Sequence, residues 1–249
     1  YTENIGEMGN SGVEGMLSVY LIRNLQKRLI WSLTGKIAYN KNVILKLSDA
    51  LKEDTRKALS ENIELGTLLF EGDPTNAIYA VRSLGIDPST GKELYLTKDG
   101  EITETWKSSD RVFLGTYDPK YRGNISSLFQ WGGLSLNLSF GYHFGGYQYN
   151  STLLSKVEIN KNMISSGNVD RRVYEDRWQQ PGDVKFFKKI DDKSTKATSR
   201  FVMKESVFEL QNVSLQYAFE GPKFKQKTKM QALMIGVNMS ELLYLSTIR

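Results

Sequence analysis

The chain has 249 residues, of which 40% are hydrophobic and 24% are charged, which is enough apolar surface to build a folded core. Its 33 basic and 28 acidic residues leave a net charge of +5, an excess too small and too dispersed to indicate a nucleic-acid partner. It has no cysteine and a single histidine, which excludes disulfide scaffolds, cysteine-ligated metals and any mechanism that needs two histidines.

Apolar and polar residues alternate with a period of two along much of the chain, which predicts β-strands. The first predicted strand, about 13–23, is apolar on both faces. Residues 24–27 connect it to a second strand, 29–39, whose alternation is interrupted at Ile30 and Gly35.

A long segment, 41–118, comes after these two strands. Its first part, 43–60, is compatible with a short helix or with an extension of the strand. Turn signals such as Gly72-Asp73-Pro74 and Asp87-Pro88-Ser89 punctuate the remainder of the segment. Residues 66–100 therefore form either an external hairpin or two further strands of the main sheet, and the sequence leaves both possibilities open.

The clearest alternation comes next. Residues 134–144 alternate without an exception, a pattern that a helix would spread around its whole circumference. The preceding strand, 121–131, breaks the pattern only at Ser127 and Leu128, and a Gly132-Gly133 turn joins the two.

A second long segment, 145–203, is polar and charged over most of its length. It contains a basic and aromatic cluster that is either a solvated loop with a structural tryptophan or a contact site for a ligand or partner. The cluster comprises Arg171, Arg172, Tyr174, Arg177 and Trp178. Two more alternating strands, about 212–219 and 230–239, lie near the end of the chain, joined by a polar link at 221–228.

Short connections thus alternate with very long ones, and aromatic residues occur near both ends of the strands. Structureless loops of this length are unusual in a compact soluble domain. Outer-membrane β-barrels combine short turns on one side, long loops on the other and two aromatic girdles. No run of residues approaches the roughly 18 apolar residues of a membrane helix. The pattern therefore favours an all-β fold, a segment of an antiparallel transmembrane β-barrel.

No constellation of residues predicts catalysis, a metal site or a cofactor. The stretch Gly85–Lys92 resembles a phosphate loop, but its glycine spacing is wrong and Glu93 stands where a Ser or Thr is needed. An enzyme is therefore the least favoured interpretation. The predicted ligand contacts are three lumen-facing residues of the 134–144 strand and three loop residues: Asn137, Ser139, His143, Arg172, Arg177 and Trp178.

Several stretches resemble the SusC/RagA family of TonB-linked outer-membrane proteins, in family order and over essentially the whole chain. They are Asn4–Glu14 (NIGEMGNSGVE), Trp31–Asn42, Leu84–Gly91 (LGIDPSTG), Gly115–Tyr121 (GTYDPKY), Arg177–Asp183 (RWQQPGD), Phe208–Tyr217 (FELQNVSLQY) and Gly236–Met239 (GVNM). The sequence departs from the family pattern at Phe187-Lys188-Lys189 and at Met239.

The resemblance implies the C-terminal half of a barrel of about 22 strands, to which this chain contributes six to eight strands. Such proteins import oligosaccharides or peptides across the outer membrane of Gram-negative bacteria, driven through TonB, with a SusD-like surface lipoprotein over the barrel mouth. We expect residues 1–249 to be an internal piece that lacks the signal peptide, the plug domain and the last strand or two.

A soluble all-β carbohydrate-binding module is the alternative. Such a module would use the same alternation, with one face of the sheet buried in a sandwich core. It would fold in buffer alone, whereas barrel strands with two open edges are expected to aggregate without detergent.

Overall fold

The computed structural model describes residues 6–62, 68–164 and 167–248, which form two β-sheets and two compact units. The sheet unit comprises Ser11–Lys41, Pro119–Gly145 and residues 205–248. The loop unit comprises Asn42–Asp118 and Gly146–Lys204 together with residues 6–10. The first two residues of the motif that begins at Asn4 lie outside the described residues.

Six long strands form the larger sheet, in the order β1-β2-β7-β8-β9-β10. The strands are β1 (Gly6–Asn24), β2 (Leu29–Leu47), β7 (Tyr121–Trp131), β8 (Leu134–Tyr149), β9 (Val202–Glu220) and β10 (Ala232–Ser246). The ladders of β2 with β7, β7 with β8 and β9 with β10 are antiparallel. The predicted antiparallel all-β fold is confirmed, and the sheet contains six strands, at the lower end of the predicted range.

The alternating pattern sorts residues onto two faces of the sheet unit. Directly opposite residues share a face, so that Leu136 lies beside Phe129 and Ser139 lies beside Ser126. We call the side that carries Leu134, Leu136, Leu138, Phe140, Tyr142 and Phe144 the apolar face, and the side that carries Ser135, Asn137, Ser139, Gly141 and His143 the polar face.

Ser127 is an exception to the alternation, and its hydroxyl group has a hydrogen-bond partner on the apolar face. Trp31 Nε1 donates a hydrogen bond to Ser127 Oγ at 3.1 Å, from the adjacent strand β2. The hydroxyl therefore does not face apolar surroundings without a partner.

A glycine on the apolar face lets one side chain reach across a whole strand. A Cβ atom on Gly123 would lie 2.4 Å from Tyr142 Oη and 2.1 Å from Lys36 O, so that only glycine fits there. Tyr142 passes over this position and donates its hydroxyl hydrogen to Lys36 O at 3.0 Å. One side chain thereby ties β8 to β2 across β7.

The turns between neighbouring strands have the predicted lengths. Residues 25–28 join β1 to β2, and Gly132, with φ of +58°, begins the two-residue turn from β7 to β8. The longer link between β9 and β10 forms a short helix, α5 (Pro222–Thr228).

The chain between β2 and β7 settles both questions that the sequence left open. Residues 43–60 extend β2 to Leu47 and then form helix α1 (Asp49–Ser60), whose first turn is capped by Ser48. The described residues after α1 form a separate four-stranded sheet in the order β5-β4-β3-β6, so they add no strand to the larger sheet. Its strands are β3 (Ala77–Ile86), β4 (Glu93–Leu96), β5 (Ile102–Thr103) and β6 (Arg111–Thr116), with a 3₁₀ turn at Ser108–Asp110.

The described residues between β8 and β9, 150–164 and 167–201, form three short helices and a 3₁₀ turn. They are α2 (Ser151–Lys156), α3 (Lys161–Ile164), α4 (Arg172–Glu175) and the turn Ser199–Phe201. In the part of the loop unit that the structure describes, two apolar clusters form the core. One contains Leu153, Val157, Phe187 and Phe201, and the other contains Val81, Tyr95 and Trp106.

Candidate functional site

A chain of polar side chains crosses three strands on the polar face of the sheet unit. Asn124 Nδ2 donates to Ser139 Oγ at 2.8 Å and to Gln211 Oε1 at 3.1 Å, and Gln211 Nε2 donates to Glu209 Oε1 at 2.6 Å. Gly141 leaves room for the Gln211 side chain in this chain of hydrogen bonds, because a Cβ atom on residue 141 would lie 2.3 Å from Gln211 Nε2. We call Asn124, Ser139, Gln211 and Glu209 the polar row.

The polar row contains one predicted contact residue, Ser139, and the other two on β8 lie beside it. His143 is opposite Arg122, and its Nε2 lies 3.6 Å from Glu205 Oε2. Asn137 is half-buried and opposite Leu128. The alternation thus placed all three on one face, while Glu205, Glu209 and Gln211 were not predicted, because the start of β9 falls outside the alternating stretch at 212–219.

Opposite charges lie at the two ends of the polar row. Lys36 on β2 pairs with Asn124 across the β2–β7 ladder. At the other end, a cavity of about 560 Å³ is lined by Glu209, Gln211, Glu241 and Tyr244 among others. Within the described residues, Lys36, Glu209 and Glu241 form no ion pair.

Arg177, a predicted ligand contact, is buried in the loop unit with a relative exposure of 1%. Its guanidinium donates to four carbonyl oxygens, those of Val157 (3.1 Å), Ile159 (2.7 Å), Lys188 (3.0 Å) and Lys189 (3.3 Å). Burial lowers the pKa of this guanidinium from its ordinary value. Arg177 therefore holds two loop segments together through main-chain carbonyls.

Trp178 also makes a contact within the loop unit. Its Nε1 donates to Pro88 O at 2.9 Å, and its ring covers Gly91, where a Cβ would lie 2.4 Å away. Gly182 N donates to the same carbonyl at 2.8 Å. Two of the motifs that carry the family resemblance, Leu84–Gly91 and Arg177–Asp183, thus pack against each other.

Arg172, the third predicted loop contact, is half-buried. It forms a two-pronged ion pair with Asp170, with distances of 2.9 Å from Nε and 2.8 Å from Nη2. Hydrogen bonds from Arg172 lower the pKa of Asp170 to about 2, and the bond from the guanidinium has a larger effect than the bond from the backbone N–H. Ligand contact by any of the six predicted residues stays a prediction.

The side chain of Arg200 is also buried in the loop unit, and no role for it was predicted from the sequence. Its five N–H groups all have acceptors: Glu93 binds Nε and Nη2 at 2.7 Å each, Glu158 binds Nη1 and Nη2 at 3.0 and 2.5 Å, and Phe186 O binds Nη1 at 2.6 Å. The side chains of Glu93 and Glu158 are 1% and 0% exposed. We call Arg200, Glu93 and Glu158 the Arg200 cluster.

Burial alone would lower the pKa of Arg200, but the hydrogen bonds to the two carboxylates outweigh it and raise that pKa.

Among the residues that the structure describes, no group of three or more His, Cys, Asp or Glu side chains is arranged to hold a metal ion. In the same part of the chain, no helix has the length and apolar character needed to cross a membrane.

Solved structures of a transporter share this fold. A structure of the RagAB peptide transporter aligns with 98% of this chain and 26% of its own, at a TM-score of 0.77 and 23% identity. Two structures of the RagAB peptide importer, in its 'closed-closed' and 'open-open' states, align over the same shares at TM-scores of 0.79 and 0.74, with 22% and 20% identity.

The predicted resemblance to SusC/RagA-type proteins is therefore confirmed at the level of fold. The chain spans about a quarter (26%) of the length of these transporter chains. Neither a protein-family model nor a curated protein sequence matches it.

Proposed function

We propose that this chain is a wall segment of an outer-membrane, TonB-dependent transporter of a Gram-negative bacterium. The transporter imports oligosaccharides or peptides together with a SusD-like surface lipoprotein. The observation that carries the proposal is the alignment of 98% of the chain with one quarter of the RagAB chains, in a fold whose strand pattern suits a bilayer.

In this proposal the apolar face of the sheet unit meets lipid and the polar face lines the lumen. A sheet pairs its backbone groups between strands, which hydrocarbon requires because it offers no hydrogen bonds. The rings of Tyr39, Tyr121 and Phe144 lie side by side on β2, β7 and β8. The ring centroids are 5.3 Å apart for Tyr39 and Tyr121 and 5.1 Å apart for Tyr121 and Phe144. Such a row suits one membrane interface, and Trp31 and Trp131 suit the opposite one.

The wall itself performs no reaction. Polar side chains such as those of the polar row can hydrate or hydrogen-bond a passing solute. The free energy for import comes from TonB, through a plug domain that forms another part of the transporter. The structural neighbours are transporters, which supports a role without catalysis.

The experiment compares Leu138→Arg with Ser139→Arg in the complete transporter. These adjacent residues lie on opposite faces near the middle of the β7–β8 ladder. A charge on the lipid face near the bilayer midplane costs about 2–4 kcal/mol, whereas a charge in the lumen meets water. We expect Leu138→Arg to lower the outer-membrane yield severalfold and Ser139→Arg to leave it near wild type, as judged by immunoblots of membrane fractions. Equal yields for the two variants would refute the orientation.

A further inference from the structure

We infer that the polar row and its two charged ends form a binding site for a short extended peptide, with the peptide's amino group at Glu209 and its carboxylate at Lys36. This inference rests on the proposed function, because it requires the polar face to line the lumen. It goes further by naming the substrate class and the groups that recognise it.

The anionic end of the site is the cavity beside Glu209. Its lining residues include a second acidic residue, Glu241, and Tyr244, which pairs with Glu209 across the β9–β10 ladder. Two carboxylates and an aromatic ring around one cavity suit an ammonium group, which gains from both ion pairing and a cation–π contact. A neutral sugar could not form an ion pair with either carboxylate.

The cationic end lies on β2 and β7, where Lys36 and Arg122 both project on the polar face. Within the described residues neither of them forms an ion pair with a carboxylate. Two cations there and two carboxylates on the β9 side, Glu205 and Glu209, give the polar face a charge gradient that runs across the strands.

The spacing of the two ends matches a short peptide. Lys36 on β2 and Glu209 on β9 are three strands apart, which is about 14 Å at roughly 4.8 Å per strand. An extended peptide advances about 3.3–3.6 Å per residue, so about four residues span this distance. Between the ends, the side-chain amides of Asn124 and Gln211 both donate and accept hydrogen bonds, as a peptide backbone requires.

The test measures the affinity of the complete transporter, purified in detergent, for tetra-alanine by isothermal titration calorimetry. Four ligands are compared: the peptide with free termini, its N-acetylated form, its C-amidated form and maltotetraose. Two exposed ion pairs of about 0.7–1 kcal/mol correspond to about three- to fivefold each. We therefore expect acetylation and amidation each to weaken binding by about three- to fivefold, and maltotetraose to bind most weakly.

Variants assign each terminus to its end of the site. Glu209→Gln should weaken the free peptide by about three- to fivefold and should leave the acetylated peptide unaffected, because that peptide has already lost the ammonium group. Lys36→Gln should behave in the same way toward the amidated peptide. Lys27→Gln removes a lysine from the turn between β1 and β2 and should leave all four affinities unchanged.

Equal affinities for free and blocked peptides would overturn the inference. So would variants that leave every affinity unchanged but shift the melting temperature of the ligand-free protein, because the row would then pack against another part of the transporter. A failure of the proposed function is distinguishable, since it appears as equal membrane yields of Leu138→Arg and Ser139→Arg, whatever the peptide affinities.

Discussion

Replacing Arg200 by methionine tests whether the Arg200 cluster holds the loop unit together. The arginine side chain is 5% exposed, and the substitution removes the only cation that contacts Glu93 and Glu158 within the described residues. Two carboxylates would then remain buried without a cationic partner, each with one hydroxyl donor, Tyr95 for Glu93 and Thr195 for Glu158. Breaking a buried ion pair in this way costs about 3–5 kcal/mol.

Hydrogen exchange measured by mass spectrometry reports the local opening free energy of the loop unit. Each 1.4 kcal/mol is a factor of ten, so exchange in peptides that cover β4 and the turn Ser199–Phe201 should accelerate by roughly two to four orders of magnitude. Exchange in β7 and β8 should change far less.

Two controls separate charge from shape. Arg171→Met removes an ion pair with Glu175 in which the arginine is 86% exposed, and it should change the opening free energy by less than about 1 kcal/mol. The triple variant Arg200→Met, Glu93→Gln, Glu158→Gln removes the buried charges together and should recover a large part of the loss. A cost below about 1 kcal/mol for Arg200→Met alone would refute the reasoning.

Three further predictions concern single positions. Gly91→Ala, at φ of +70°, places a Cβ atom in the ring of Trp178 and should destabilise the loop unit by about 2–4 kcal/mol, as measured by hydrogen exchange. Gly100→Ala, at φ of +88° with nothing within 4 Å, is the control and should cost only about 1 kcal/mol in the same measurement. Gly123→Ala meets the neighbouring backbone and should lower the thermal unfolding temperature measured by circular dichroism in detergent, whereas Gly35→Ala, with nothing within 4 Å, should not. Hydrogen bonds from the Ser89 backbone N–H and then from the hydroxyls of Ser89 and Thr90 lower the pKa of Asp87. The stabilisation from Asp87 is therefore present above about pH 4 and is lost as pH falls through the lowered pKa. Cleavage of the 87–91 turn by an acid protease should rise as pH falls below about 4, and Asp87→Asn should remove this pH dependence.

The main sheet was predictable because a sheet with one apolar and one polar face imposes a period of two, and residues 134–144 of β8 show that pattern without an exception. The interruption at Ser127 was not explicable from the sequence, since its partner Trp31 is roughly 100 residues away in the chain. Arg177 and Arg200 present the same difficulty. An arginine in a polar loop resembles a solvated or ligand-binding residue until the acceptors from distant segments are known, and these acceptors are carbonyls and carboxylates that no local pattern reveals.

The strand order also predicts how the larger sheet assembles in time. Neighbours β7 and β8 are joined by two residues and β9 and β10 by one short helix, so each of these pairs has low contact order and forms early. Pairing β2 with β7 brings together residues such as Leu29 and Trp131, roughly 100 positions apart, and must close a long loop first. We expect this joining of preformed hairpins to limit the folding rate, and a loop unit that folds early to accelerate it by shortening the effective loop.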